Sequence, residues 1–236
     1  MTEWKTDIAS SGEDAVIRGK PLEEVMEMSF PDAIWVLLKG KEPTEEESEI
    51  FNTILSSSID HGVGNPSTVS ARTVQSGGND MNTSVAAGVM ALGDKHGGAI
   101  EEAMELLQSE DTAETIVDNK LGAGEKIPGL GHKVYTGEDP RASKILNKAE
   151  GLGLAGPSVD KMQEIREVFA ERKVDLVMNV DGAIAAVMSD LEWPPELGKG
   201  FFIIARTPGL VAHVHEEMDE EDFRREKGEY TGEKDL

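Results

Sequence analysis

The chain has 236 residues with a net charge of −23, and so acidic a surface excludes nucleic acids and anionic membrane surfaces as expected partners. The acidic residues are spread over many segments, and molar salt screens their repulsion within about 3 Å, so we expect a halophilic protein. The absence of cysteine excludes disulfides and thiolate chemistry, and because no basic N-terminal segment precedes an apolar stretch and no window approaches about 18 apolar residues, we expect a cytoplasmic protein.

Helical periodicity dominates the chain from end to end. Thr44 and Glu47 form a capping box that predicts a helix running toward Ile59. Only Val174–Val180 resembles a strand, and it is too short and isolated to build a sheet, so we predict an all-α fold. The further predicted helices are bounded by Gly, Pro or Asn and span Thr68–Gln75, Ser84–Leu92, Ala99–Gln108, Thr112–Leu121, Pro140–Glu150, Ser158–Glu171, Gly182–Leu191 and Leu210–Met218.

Three of the five histidines, His61, His96 and His132, stand next to glycine. A neighbouring glycine lets a ligand or a second backbone approach the imidazole closely, and such an imidazole can donate to a carbonyl oxygen or exchange protons near neutral pH. Each histidine alone is equally compatible with a helix cap or a half-buried polar group. A zinc site is a further alternative, but no pair of histidines has the i, i+4 spacing of helical ligands, so no metal is expected.

Several motifs carry a family resemblance in the right order along about residues 22–232. The combination resembles the citrate synthase superfamily, and it is more specific than any single motif. The motifs are DHG at 60–62, NPST at 65–68, HGGA at 96–99, IPGLGHKVY at 127–135, DPRA at 139–142, NVD at 179–181, ARTPGLVAH at 205–213 and YTG at 230–232.

The resemblance implies a citrate synthase-like fold with two helical domains. A large domain would comprise residues 1–95 and 196–236, and a smaller domain, residues 96–195, would close over the active site and exclude water. It also implies a homodimer, because in the family one arginine reaches the neighbouring subunit's site.

One position suggests a branch within the superfamily. In the citrate synthases, which are also longer at the N-terminus, the catalytic aspartate is usually followed by an aromatic residue, whereas Gly182 follows Asp181 here. This is similar to citryl-CoA lyase and the lyase module of ATP-citrate lyase, which implies cleavage of citryl-CoA to acetyl-CoA and oxaloacetate. The alternatives are a short citrate or 2-methylcitrate synthase and a non-catalytic CoA-binding subunit. A separate citryl-CoA synthetase is a further expected partner of a lyase.

By the same resemblance, His132 is the base for the substrate hydroxyl, His96 the hydrogen-bond donor to the thioester oxygen, and Asp181 the acid at the enol carbon. Without the resemblance, Asp181 could simply cap the following helix and Arg141 could pair with nearby carboxylates. No cofactor is expected to bind tightly, since coenzyme A enters as part of the substrate. The remaining implied site residues are His61, Arg141, Arg206 and Arg225 for substrate carboxylates, and Gly129, Leu130, Gly131 and Lys133 for coenzyme A.

Overall fold

The structure, a computed structural model, describes residues 4–224, 229 and 231–232. It is mostly helical, as the sequence predicts. Its elements in chain order are β1 (Val16–Ile17), β2 (Lys20–Pro21), α1 (Leu22–Met26), α2 (Phe30–Lys39), α3 (Glu45–Ser57), α4 (Pro66–Ser76), α5 (Met81–Met90), α6 (Ala99–Gln108), α7 (Ala113–Ala123), α8 (Pro140–Gly151), α9 (Pro157–Arg172), α10 (Val180–Asp190) and α11 (Leu197–Glu217).

Most predicted helices are confirmed within a few residues, and the capping box at the start of α3 forms in both directions. The Thr44 N–H donates to Glu47 Oε2 at 2.7 Å, and the Glu47 N–H donates to Thr44 Oγ1 at 3.2 Å. The strand-like segment 174–180 forms no strand: it makes one isolated bridge, between Leu130 and Met178, and passes into α10. The short antiparallel pair of β1 and β2 was not predicted.

Helix α11 is longer than predicted, because it begins at Leu197 rather than at Leu210. The helix continues through Pro208. Proline has no backbone N–H and usually interrupts a helix, which is why the sequence predicted a helix only from Leu210 onward. No described helix is both long and apolar enough to span a lipid bilayer.

The chain divides into two compact units. The first comprises residues 1–57 and 100–198, and the second comprises residues 58–99 and 199–236. These units are defined by which residues pack together. The predicted domains, residues 1–95 with 196–236 and residues 96–195, are instead defined by a movement that closes one over the other. The predicted domain division therefore stays a prediction.

The first unit is built around helix α10, which packs against α8 and α9. Every residue of α10 from Gly182 to Ser189 is buried, so the helix is enclosed on all sides. A second part of this core is aromatic: the Trp35 ring meets Phe51 and Trp193 edge-on at centroid distances of 5.3 and 4.9 Å. These contacts give α10, and therefore the residues at its N-terminus, a rigid base.

The second unit contains α4, α5 and nearly all of α11. Ala71 of α4 and Leu210 and Val214 of α11 form its fully buried core. Gly88 of α5 lies where α4 and α11 meet, since a Cβ there would be 3.0 Å from both Ala71 Cβ and Leu210 Cδ1. A glycine at this position lets the three helices approach closely.

Candidate active site

The glycine-flanked histidine of the first unit lies in a turn that the glycines make possible. Gly129 and Gly131 have φ values of +84° and +87°, in a positive-φ region that residues with a Cβ rarely adopt. After them, His132 Nδ1 accepts hydrogen bonds from the backbone N–H groups of Val134 at 3.0 Å and Tyr135 at 3.1 Å. Because backbone N–H groups only donate, Nδ1 presents its lone pair to them in this arrangement.

The DPR turn holds an arginine beside this histidine. Asp139 is fully buried and its carboxylate accepts from Arg141 at three points: the backbone N–H and Nε at 3.0 Å, and Nη2 at 2.8 Å. Burial alone would raise the pKa of Asp139, but the hydrogen bonds and charge of Arg141 outweigh it and keep the pKa below its usual value. Arg141 Nη2 lies 3.3 Å from His132 Nε2. Arg141 therefore pairs with the Asp139 carboxylate, which is the structural role that the sequence left open for it, and it also contacts His132.

Asp181 lies in the first turn of α10, and it is not the residue that caps the helix. Asn179 is the N-cap, and its Oδ1 accepts from the backbone N–H groups of Asp181 at 3.0 Å and Gly182 at 3.1 Å. The sequence-based alternative that Asp181 caps α10 is therefore wrong, because the capping position lies two residues earlier. Asp181 is half-buried, with its carboxylate at the positive end of the helix dipole.

A groove of about 410 Å³ in the first unit has Arg141 in its wall. Helix α3 contributes Asn52, Thr53 and Ser56 to its lining, and α8 contributes Lys144. Arg141 and Lys144 bring positive charge to the α8 side of this groove.

In the second unit, His96 is half-buried beside the start of α4. Its Nε2 lies 3.0 Å from Ser67 Oγ and accepts from the Ser67 N–H at 3.4 Å. That backbone donor places the proton of a neutral ring on Nδ1. Burial lowers the pKa of His96, and the positive charges of Arg206 and His61 lower it further. The lowered pKa favours the neutral form of His96, which has one N–H to donate.

The two other predicted residues of the second unit differ in exposure. Arg206 is 2% exposed, donates from Nε to the Ser58 carbonyl at 2.9 Å and stacks on the Phe202 ring at 4.8 Å. His61 is exposed, in a turn closed by the Gly62 N–H donating to Asp60 Oδ2 at 2.8 Å.

The structure thus brings His132 and Arg141 into contact in the first unit and groups His96 with Arg206 and His61 in the second. Arg225, expected to serve the partner's site, lies outside the described residues. Of the residues expected to bind coenzyme A, Gly129 and Leu130 are buried, Gly131 is half-buried and Lys133 is exposed.

Four residues that support the site were not singled out from the sequence, although they stand inside the quoted motifs. Asn65, Asp139 and Asn179 each cap a helix, and Ser67 contacts His96. Asn and Asp directly before a helical segment are the signal that could have revealed the three caps. The contact of Ser67 with His96 joins residues 29 positions apart, and no local pattern encodes it.

Known proteins resemble this chain over the region that carries these motifs. The sequence model described as "Citrate synthase, C-terminal domain" matches residues 5–227. The chain belongs to the citrate synthase family. Among curated family members it is 35% identical over 208 residues to the citrate synthase of Haloferax volcanii, covering 85% of this chain and 54% of the relative. It is 33% identical over 224 residues to that of Heyndrickxia coagulans, covering 92% and 60%. The chain thus spans little more than half the length of these curated relatives.

Among solved structures, the citryl-CoA lyase from Hydrogenobacter thermophilus is 43% identical, with a TM-score of 0.92 over 99% of this chain and 96% of that chain. The ATP citrate lyase from Methanothrix soehngenii, solved with citrate and coenzyme A, is 23% identical with a TM-score of 0.88 over 100% of this chain and 42% of that chain. At that identity the second likeness concerns the fold alone.

Proposed function

We propose that this member of the citrate synthase family is a citryl-CoA lyase that cleaves citryl-CoA to acetyl-CoA and oxaloacetate. The observation that carries the proposal is how the first unit brings its candidate site residues together. Arg141 Nη2 lies 3.3 Å from His132 Nε2. At the start of the helix bearing Asp181, Asn179 donates to the Gly131 carbonyl, and the Val180 N–H donates to Asp139, the partner of Arg141. The 43% identity to a citryl-CoA lyase supports this reaction, as does Gly182, the residue that distinguishes the lyase-like motif.

In the proposed cleavage, His132 removes the proton of the substrate hydroxyl while Arg141 pairs with a neighbouring carboxylate. The base needs a lone pair on Nε2, so the ring proton must lie on Nδ1 at that moment. In the structure Nδ1 instead accepts from Val134 and Tyr135. The proposal therefore requires the turn at 132–135 to release Nδ1 when substrate binds.

As the hydroxyl becomes a carbonyl, the adjacent C–C bond breaks and its electrons pass to the acetyl thioester, which leaves as an enolate. His96 is suited to stabilise the enolate oxygen, because a neutral ring with its proton on Nδ1 can donate a hydrogen bond without transferring the proton. Asp181 then gives a proton to the enol carbon, which completes acetyl-CoA. His61 and Arg206 would bind the remaining carboxylate charge.

Condensation is the second candidate function, and it is favoured by the curated relatives, which are named citrate synthases. The same residues can serve both directions, because Asp181 would act as the base and His132 would return the proton to the new hydroxyl. A synthase must in addition hydrolyse the thioester of citryl-CoA, which releases free coenzyme A.

The test is to incubate the purified protein in molar KCl with citryl-CoA and, separately, with acetyl-CoA and oxaloacetate. A lyase releases oxaloacetate from citryl-CoA without free coenzyme A, whereas a synthase produces free coenzyme A rapidly from the second mixture. Asp181→Asn should lower cleavage by about 10²- to 10⁴-fold while citryl-CoA still binds, because the variant cannot deliver the proton to carbon. A wild-type protein that binds citryl-CoA and converts neither mixture would favour the non-catalytic alternative.

A further inference from the structure

Asn179 uses the two ends of its side chain on two different segments. Its Oδ1 accepts from the N–H groups of Asp181 and Gly182 and so caps α10, while its Nδ2 donates to the Gly131 carbonyl at 2.8 Å. Its backbone N–H also donates to the Gly129 carbonyl at 3.0 Å. One residue therefore connects the start of the helix that bears Asp181 with the loop that leads into His132.

The two segments lie against each other along their length. The Gly131 N–H donates to the Val177 carbonyl at 2.7 Å, and Leu130 and Met178 form a bridge. The backbones come so close that a Cβ added to Gly129 would lie 2.6 Å from Gly182 Cα. The junction of residues 129–131 with 177–182 thus consists of close backbone contacts and hydrogen bonds, and the Asn179 side chain hydrogen-bonds to both segments.

Capping alone does not require asparagine here. Ser, Thr and Asp cap helices about as well, because each supplies an acceptor oxygen. Only an amide side chain of this length supplies an acceptor to the helix and a donor to the Gly131 carbonyl at the same time.

We propose that Asn179 is a positioning residue for the lyase reaction. It fixes the position of the loop before His132 relative to Asp181, so that His132 can remove the hydroxyl proton and Asp181 can protonate the enol carbon of the same bound citryl-CoA. This inference rests on the proposed function. It assigns Asn179 no contact with the substrate, because its side-chain atoms bind Gly131, Asp181 and Gly182.

The test compares two reactions of the same protein. Cleavage of citryl-CoA needs both His132 and Asp181, whereas exchange of the acetyl-CoA methyl protons with deuterated water, measured with an unreactive oxaloacetate analogue, needs Asp181 but not His132. Asn179→Ser keeps an oxygen that can cap α10 and loses the donor to Gly131. We expect kcat for cleavage to fall by about 10²-fold, the cost of misplacement by about 1 Å, and methyl exchange to stay within about threefold of wild type.

Thr112→Ala is the matched control. Thr112 caps α7 in the same unit by accepting from the Thr115 N–H at 3.3 Å, without contact to the junction, so its loss should change neither rate. If Asn179→Ser lowers cleavage and exchange by the same factor, or changes neither, Asn179 only stabilises α10 and the inference is wrong. A wild-type protein without either reaction would instead overturn the proposed function, and the inference with it.

A measurement independent of activity uses amide hydrogen exchange. Asn179→Ser should speed exchange of the Gly131 amide while the amides of α10 stay protected, and unchanged protection at Gly131 would overturn the inference. Asn179→Asp is the second variant if the serine variant does not fold. It keeps size and the cap but turns a carboxylate oxygen toward the Gly131 carbonyl, so the same separation of the two rates is expected.

Discussion

The closeness of Gly129 and Gly182 leads to a prediction about one methyl group. A Cβ at Gly182 would lie 2.6 Å from the Gly129 carbonyl oxygen and 3.0 Å from Met162 Cε. Gly182→Ala therefore forces the loop away from α10, although alanine suits the helical backbone better than glycine does. Overpacking of this kind costs about 1–3 kcal/mol, and the gain in helix propensity offsets about 1 kcal/mol of it.

Gly122→Ala is the control that isolates the overpacking cost. Gly122 lies within α7 of the same unit, and a Cβ there would meet no heavy atom within 4 Å. This variant should gain about 1 kcal/mol of stability. The difference in the free energy of unfolding between the two alanine variants should therefore equal the overpacking cost, about 1–3 kcal/mol in favour of Gly122→Ala.

Urea unfolding in molar KCl, followed by tryptophan fluorescence, measures this difference. Trp35 and Trp193 are 0% and 1% exposed in the same unit, so their emission reports its unfolding. Cleavage of citryl-CoA should fall in Gly182→Ala and stay at the wild-type rate in Gly122→Ala. Equal stability of the two variants would refute the close approach, and full activity of Gly182→Ala would refute its importance for the site.

Three further predictions concern charge and assembly. Lowering KCl from molar to millimolar should unfold or dissociate the protein by circular dichroism and light scattering, because the −23 charge repels itself unless screened; an unchanged folded dimer would contradict this. Because pairing with arginine keeps the pKa values of Asp139 and Glu217 below their usual values despite burial, the stability that they contribute is present above about pH 4 and lost as the pH falls below it. Asp139→Asn and Glu217→Gln should flatten that acid loss in urea titrations, and an unaltered pH profile would refute the assignment. In the homodimer that the family resemblance implies, Arg225→Ala subunits mixed with Asp181→Asn subunits should regain some activity after subunit exchange, whereas no recovery would remove Arg225 from the partner's site.

Where local signals agree with the packing, the sequence predicted the helices well. Helix α6 was predicted at its observed bounds, Ala99–Gln108, because its apolar residues repeat with helical spacing between a glycine pair and a polar turn. Helix α2 was not singled out, although Ser29 and Pro31 give it a good N-terminus and Gly40 ends it in the left-handed conformation. These capping signals are local and can be read from the sequence alone.

Helix α11 shows what local signals cannot supply. Pro208 and Gly209 would ordinarily end or interrupt a helix, and the sequence therefore predicted a start at Leu210. The structure gives Gly209 a tertiary reason, since the Ile59 carbonyl and the Asp60 side chain occupy the space that a Cβ would need. Packing between segments 150 residues apart outweighs the local preference, and a single sequence does not reveal which segments will meet.

The candidate site divides in the same way. The family resemblance of the motifs pointed to His132, Arg141 and Asp181, and it could do so because residue type and order are properties of the sequence. How these residues are held depends on contacts such as that of Asn179 with Gly131 across 48 positions. Residues expected to do chemistry were therefore found by type, while the residue that we propose to position them was visible only in the folded chain.

The contact of Gly129 with Gly182 gives a physical meaning to the position that separates the lyase-like motif from the synthases. In the first unit the loop before His132 lies against the start of α10 at a distance that even one methyl group would prevent. A side chain larger than glycine after the aspartate would not fit this arrangement in the present chain. A lyase must remove the hydroxyl proton and then protonate the enol carbon. A synthase must, in addition, let water reach the thioester and hydrolyse it. We therefore expect the spacing between these two segments, rather than the identity of the catalytic residues, to separate the two activities.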